Sequence, residues 1–291
     1  MKIHIAGAGT FPTVTDMVGV FSGLDTFSSF FDAKDPETFV TLRKHRPRSI
    51  ICDSGAHAYF SASGVKSASP VKLAARLLPP KEYVERYARF IERVLHLIDR
   101  FVEFDTVEIH GTRFQKWQRA RLLEAVGGDH SRLVVVYRAS EPRAALRKIM
   151  RDFPFIGLEG YRNKNFTLLE YLEICHECYK AKVKPHAFAS VDTKFLTQVP
   201  LYSSDSSSWS MIYRSGIFTR FTGRGLRTLH RSQIRKKFEV AVGVAQPLAR
   251  MTTARSTAFR YREAIRTVLE QYEKLAQYLT DLWKERGIVW S

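Results

Sequence analysis

Short apolar runs, each followed by a stretch at helical spacing, recur along this chain, and that alternation constrains its fold more than any single residue does. The clearest run is Leu133-Val134-Val135-Val136-Tyr137. A continuous apolar run of this kind suits a parallel strand covered on both faces by helices. Ile3 to Ala6, Ser49 to Cys52, Phe101 to Ile109, Phe155 to Leu158, His186 to Ser190, Leu201 to Ser204 and Phe238 to Val242 read as further strands. Phe-rich residues 13–34 read as a packed loop or a short helix.

Helical signals separate the runs. Asp35-Pro36-Glu37 opens one helix, because Asp caps and Pro suits the first turn. After Pro79-Pro80, Tyr83/Val84, Tyr87, Phe90/Ile91, Val94/Leu95 and Ile98 recur at helical spacing. Arg113 to Val126, Pro142 to Met150, Thr167 to Ala181 and Asp192 to Gln198 read as helices too. Residues 56–78, rich in Ala and Ser, read as a long loop in the position of a lid. Strands alternating with helices predict an α/β fold, a (β/α)8 TIM-type barrel. Residues 1–291 read as one barrel domain with a C-terminal helical extension at about 257–286, one long helix or two stacked ones.

Two of the runs end alike. Ile50-Ile51-Cys52 leads into Asp53-Ser54-Gly55, and Leu201-Tyr202 leads into Ser203-Ser204-Asp205-Ser206-Ser207-Ser208-Trp209. Asp and Ser at such points cap helices and close turns. They also carry chemistry at barrel strand ends, which converge on one face. Asp105 joins Asp53 and Asp205 there. Two carboxylates can break a glycosidic bond, one attacking carbon and one moving a proton. Several Asp can equally hold a divalent metal, and spacing alone leaves both open. His57, His110 and His186, near strand ends, read as hydrogen-bonded structural residues.

The ordered set of motifs from Ile50 to Trp209 resembles the tRNA-guanine transglycosylase superfamily. Cys52-Asp53-Ser54-Gly55-Ala56 is similar to its Asp-Ser-Gly motif, and Phe104-Asp105 to its Phe-Asp. Ile156-Gly157-Leu158 and His186-Ala187-Phe188-Ala189 resemble two of its purine-facing strand ends. The resemblance implies a (β/α)8 barrel that exchanges guanine for a 7-deazaguanine, a pentosyltransferase needing no redox cofactor. It implies Asp205 as nucleophile, Asp53 as general acid/base, and purine contacts for Asp105, Ser54, Gly55, Gly157, Leu158 and Phe188. Asp-Ser-Gly-Ala and Ser-Asp-Ser-Ser-Ser-Trp look most like the phage and bacterial branch that acts on DNA. A tRNA-modifying enzyme, a DNA glycosylase using water, and a non-catalytic nucleic-acid-binding module are the alternatives.

The tRNA enzymes of that superfamily carry a Cys-x-Cys-x-x-Cys zinc site after the nucleophile, whereas no cysteine here follows Cys178. A structural zinc wants four ligands, and Cys175 and Cys178 supply two. Buried free thiols and no bound metal are therefore expected. The chain carries 46 Lys+Arg against 29 Asp+Glu, a net charge of +17, which favours polyanions. Residues 206–237 contain no acidic residue, and Trp209, Arg214, Arg220, Arg224, Arg227, Arg231, Arg235, Lys236 and Lys237 are the candidate nucleic-acid contacts. The expected partner is DNA, with tRNA as the alternative. No apolar run approaches the roughly 18 residues of a membrane span, and the opening Met1–Ala6 run is too short for a secretory leader. With three cysteines and no disulfide framework, a cytoplasmic protein is expected, in the host cytoplasm if phage-encoded.

Overall fold

The structure, a computed structural model, describes residues 1–8, 19–33, 35–62, 78–159, 165–212, 217–230 and 258–290. Eight parallel strands close a barrel in chain order. They are β1 (Lys2–Ala6), β2 (Asp25–Ser29), β3 (Ser49–Asp53), β4 (Arg100–Val102), β5 (Leu133–Tyr137), β6 (Phe155–Leu158), β7 (Lys184–Ala187) and β8 (Ser203–Ser206). Closure comes from β8 pairing with β1, where His4 stands opposite Asp205.

Two features depart from the sequence reading. The second strand is Asp25–Ser29, inside the stretch expected to be a loop or short helix. Only Phe27 in Asp-Thr-Phe-Ser-Ser is a large apolar residue, so the strand is hidden from hydropathy. The side chains of Asp25 and Thr26 are satisfied at the barrel floor. Thr26 Oγ1 donates to the Ser49 carbonyl at 3.0 Å, and Asp25 accepts from Ser49 Oγ at 2.6 Å and pairs with Arg48 at 2.8 Å. The barrel therefore closes without Phe238–Val242, which lies outside the described residues. The last strand is also shifted from 201–204 to 203–206, so Asp205 stands within a strand and not beyond its end.

The helical layer holds α1 (Pro36–Lys44), α2 (Ala56–Ala62), α3 (Pro80–Val94), α4 (Val107–Glu124), α5 (Arg143–Asp152), α6 (Leu168–Ala181), α7 (Thr193–Leu196) and α8 (Ala258–Glu285). α2 occupies the start of the stretch read as a loop. α4 bends at Gly111, whose φ of 74° breaks the helical conformation. The C-terminal extension is one helix, α8, packed against β1. An antiparallel pair, β9 (Ile217–Phe221) and β10 (Leu226–His230), lies beside it. None of the helices among the described residues is long and apolar enough to cross a membrane.

Two cores follow from the parallel wall. Phe27, Ile51, Val102, Val134, Val136 and Phe155 fill the barrel interior. A larger layer between strands and helices includes all seven buried residues of α3. That helix does more than cover the sheet. Tyr87 donates to the Val102 carbonyl at 2.9 Å and lies 3.3 Å from the Cys52 carbonyl, and Tyr83 donates to the Ser54 carbonyl at 2.6 Å. These phenols pin the ends of β3 and β4, where the candidate residues sit. Tyr87→Phe is expected to lower unfolding free energy by about 1–3 kcal/mol, because a buried carbonyl loses its donor. Urea denaturation checks this, and an unchanged midpoint would show that the strand ends do not depend on the phenol.

Candidate active site at the barrel mouth

Asp53 ends β3. Gly55 follows at a φ of +75°, and a Cβ there would lie 2.3 Å from Phe31 Cβ and 2.8 Å from Ser29 Oγ. Only glycine allows the turn to press against the end of β2. The turn returns the Ser54 and Gly55 N–H groups toward the Asp53 carboxylate. Burial, helped by the Asp205 charge and opposed by those N–H groups, raises the Asp53 carboxyl from 3.8 to about 7. A group that changes protonation near neutrality can both give and take a proton.

Asp205 projects from β8 and is buried. Its Oδ1 accepts the Ala189 N–H at 2.8 Å and lies 3.2 Å from His186 Nε2. Ala189 holds a φ of 49°, a left-handed conformation uncommon for a residue with a Cβ. Asp205 is thus tied to the β7 end and is not the cap of a following helix. Ser206 is the local turn residue, accepting from Ser208 N at 3.1 Å. Ser204 Oγ donates to the Ala187 carbonyl at 2.8 Å and bonds the Ser190 carbonyl, latching the β7 end to β8.

Asp105 lies in the β4–α4 connection and meets Arg138, a residue the sequence reading passed over. The pairing is two-pronged, Nε to Oδ1 at 2.7 Å and Nη2 to Oδ2 at 2.7 Å. Glu159 lies 3.7 Å from the same guanidinium. Burial pushes the Asp105 carboxyl up to about 7 against the pull of Arg138. Arg138 follows the β5 run directly and Glu159 follows β6, so position at a strand end was the available signal.

The expected purine contacts are only partly open. Ser54 is buried, and its hydroxyl donates to the Glu103 carbonyl at 3.0 Å. The Ser54 hydroxyl is thus committed to the wall, and Ser54 and Gly55 shape the turn with their backbone. Leu158 points its side chain into the outer core, and its carbonyl accepts from Phe188 N at 3.2 Å. Phe188 lies against Gly157, where an added Cβ would stand 2.5 Å from its ring. Two of the residues expected to contact the purine thus touch each other here.

The basic segment divides. Trp209 is buried, donates to the Ala6 carbonyl at 2.7 Å and packs edge-on to Phe21, so it is a core residue and cannot stack on a base. Phe218 is buried as well. Arg220 stands directly opposite Arg227 across the β9–β10 pair, with Arg224 in the turn. Arg224 and Arg227 are exposed. This pair packs on α8 and against Thr193, the first residue of α7. Arg214, Arg231, Arg235, Lys236 and Lys237 lie outside the described residues. Cys175 and Cys178 are free and buried in α6, and among the described residues no group of three or more His, Cys, Asp or Glu gathers to hold a metal.

No family model matches the chain, and no curated protein matches it. A solved structure described as a "putative isomerase from Sinorhizobium meliloti", in an open loop conformation, aligns with a TM-score of 0.45 and 11% identity. The alignment covers 80% of this chain and 61% of that one.

Two measurements test this geometry. Gly55→Ala is expected to destabilise strongly, by more than the roughly 1 kcal/mol of an ordinary glycine change, because the added methyl has no room. Gly127 also has a positive φ but nothing within 4 Å of its added Cβ, so Gly127→Ala is the control. Equal losses in denaturation would dismiss the close approach at Gly55. The second measurement uses pH. Because the folded pKa of Asp53 lies above its unfolded value, the folded state holds the extra proton between about 4 and about 7. Wild-type stability should therefore fall relative to Asp53→Asn as pH rises through that window, then run level above it. Parallel stability curves for the two proteins would contradict the raised value.

Proposed function

We propose that this protein is an enzyme, a transglycosylase that exchanges guanine in DNA for a 7-deazaguanine. The observation that carries the reading is the pairing of two unlike carboxyls at one barrel mouth. Asp53 is raised to about 7, partly by the charge of Asp205, while Asp205 is anchored by donors. Two carboxyls with separate environments suit one acid/base and one nucleophile. The resemblance of the motif order to guanine transglycosylases supplies the substrate class, and the net charge of +17 favours a polyanionic substrate.

In this mechanism the target nucleotide leaves the stack, since its C1′ is shielded in a duplex. An Asp205 oxygen attacks C1′ and the C1′–N9 bond breaks. The bonding pair leaves with guanine, which takes its proton from Asp53. The incoming 7-deazaguanine then gives its N9 proton to the Asp53 carboxylate and attacks C1′, and the C1′–O bond to Asp205 breaks. Two displacements retain configuration, and both proton transfers use a group raised to about 7. Asp105, backed by Arg138, receives the purine N–H groups with whatever oxygen lone pairs the guanidinium leaves. The exposed Arg224 and Arg227, with Arg220, hold phosphates on the barrel flank.

Labelled guanine exchange into DNA and tRNA, run side by side, tests the reading. Asp205→Ala should lose activity by on the order of 10⁴-fold while keeping its affinity for DNA. Near-normal turnover by that variant would remove Asp205 as nucleophile. Modification of tRNA alone would reassign the polymer, and release of guanine without exchange would make the enzyme a glycosylase. Replacing Arg220, Arg224 and Arg227 together with Ala should weaken DNA binding and flatten its salt dependence by up to about three phosphate contacts. An unchanged salt slope would leave the β9–β10 pair as a solvated face.

A further inference from the structure

We propose that His186 is a positioning residue that selects which oxygen of Asp205 reacts. The proposal rests on the reading of Asp205 as nucleophile given above. His186 is fully buried inside the barrel, one register step below Phe188 on the same inner face of the chain. Its ring stacks on Phe27 at 5.7 Å with an interplanar angle of 6°, meets Phe188 edge-on at 5.0 Å, and meets His4 edge-on at 5.5 Å. Aromatic neighbours on these sides fix the plane of the imidazole, and its hydrogen bonds fix which nitrogen points where. Nδ1 lies 2.9 Å from Ser203 Oγ and Nε2 lies 3.2 Å from Asp205 Oδ1.

The hydrogen-bond chemistry assigns the tautomer. An Asp205 carboxylate is an acceptor, so Nε2 carries the proton toward it. In the tautomer with a bare Nδ1, that nitrogen accepts from Ser203 Oγ. Ser203 stands two residues before Asp205 on β8, so the strand that bears the carboxylate also sets the ring that holds it. Oδ1 receives a second donor from Ala189 N at 2.8 Å. Among the described residues Oδ2 receives no hydrogen bond. Oδ1 is therefore the anchored oxygen, and Oδ2 is the one that forms the bond to C1′. His186 acts by holding the carboxylate and is assigned no proton transfer in the reaction. It fixes the carboxylate rotamer before substrate arrives, and a misaligned attacking atom is costly.

Two variants separate positioning from packing. His186→Phe keeps a flat ring against Phe27 but loses both nitrogen contacts, while His186→Gln keeps an N–H donor. Trapping of the covalent DNA–protein adduct in single turnover should slow on the order of 10²-fold in His186→Phe, with the KM for the 7-deazaguanine base unchanged. His186→Gln should recover roughly tenfold of that loss. A His186→Phe enzyme with wild-type kcat, or one altered in KM alone, overturns the proposal while the transglycosylase reading stands. If wild-type protein forms no adduct on DNA or RNA, that reading has failed, and nitrogen-15 spectra of histidine-labelled protein decide the positioning claim by themselves. They should show the Nε2 proton of His186 altered by Asp205→Asn and the Nδ1 signal altered by Ser203→Ala. A ring protonated at Nδ1, or one indifferent to both substitutions, overturns it.

Discussion

A closed parallel barrel leaves no room on its inner wall for an unpaired carboxylate, and Asp205 stands on that wall. Burying a charge without partners costs more than most single contacts return. The local structure supplies the partners from β7, through the His186 ring and the Ala189 N–H. Ala189 takes a left-handed φ directly after donating that N–H, which turns the chain away from the strand end. The hydroxyls of β8 then make a strand from a sequence that looks like a turn. Ser203 reaches His186, and Ser204 latches the β7 end. What reads as a polar cap is a polar inner wall.

The same economy of space explains the other side of the mouth. Gly55 lets the Asp53 turn press on the end of β2, and Tyr83 and Tyr87 hold the carbonyls behind it. Asp53 then sits where burial and the charge of Asp205 act together on its proton. Asp105 faces a different environment, gripped by Arg138, with Glu159 near the same guanidinium. Three aspartates on one barrel thus have three distinct surroundings, which is the condition for giving them different work. The basic β9–β10 pair packs on α8.

Hydrophobic pattern and local capping carried most of the architecture. Leu133–Tyr137 is buried at every position, as a continuous apolar run requires of a strand with both faces covered. Asp35 caps α1 by accepting from Glu37 N at 3.0 Å, and Thr167 closes a capping box at α6. Asp25–Ser29 escaped because four of its five residues are polar and the partners of Asp25 are Ser49, Lys2 and Arg48, far from it in the chain. Trp209 followed a run of serines and looked available for stacking, yet the β1 end covers it.

The chain by itself determined the strand–helix alternation, the three aspartates near strand ends, and the glycine that Asp53 needs beside it. These are local matters of periodicity, backbone freedom and residue chemistry. Only the tertiary structure decided which polar residues are neighbours. His186 and Asp205 meet across β7 and β8, Asp105 meets Arg138 across β4 and β5, and Ser54 turns away into the wall. The physical reason is that barrel closure brings distant strand ends together, while the inward or outward direction of each side chain depends on register. A polar residue's role depends on the partner it meets there, and sequence spacing does not contain that partner.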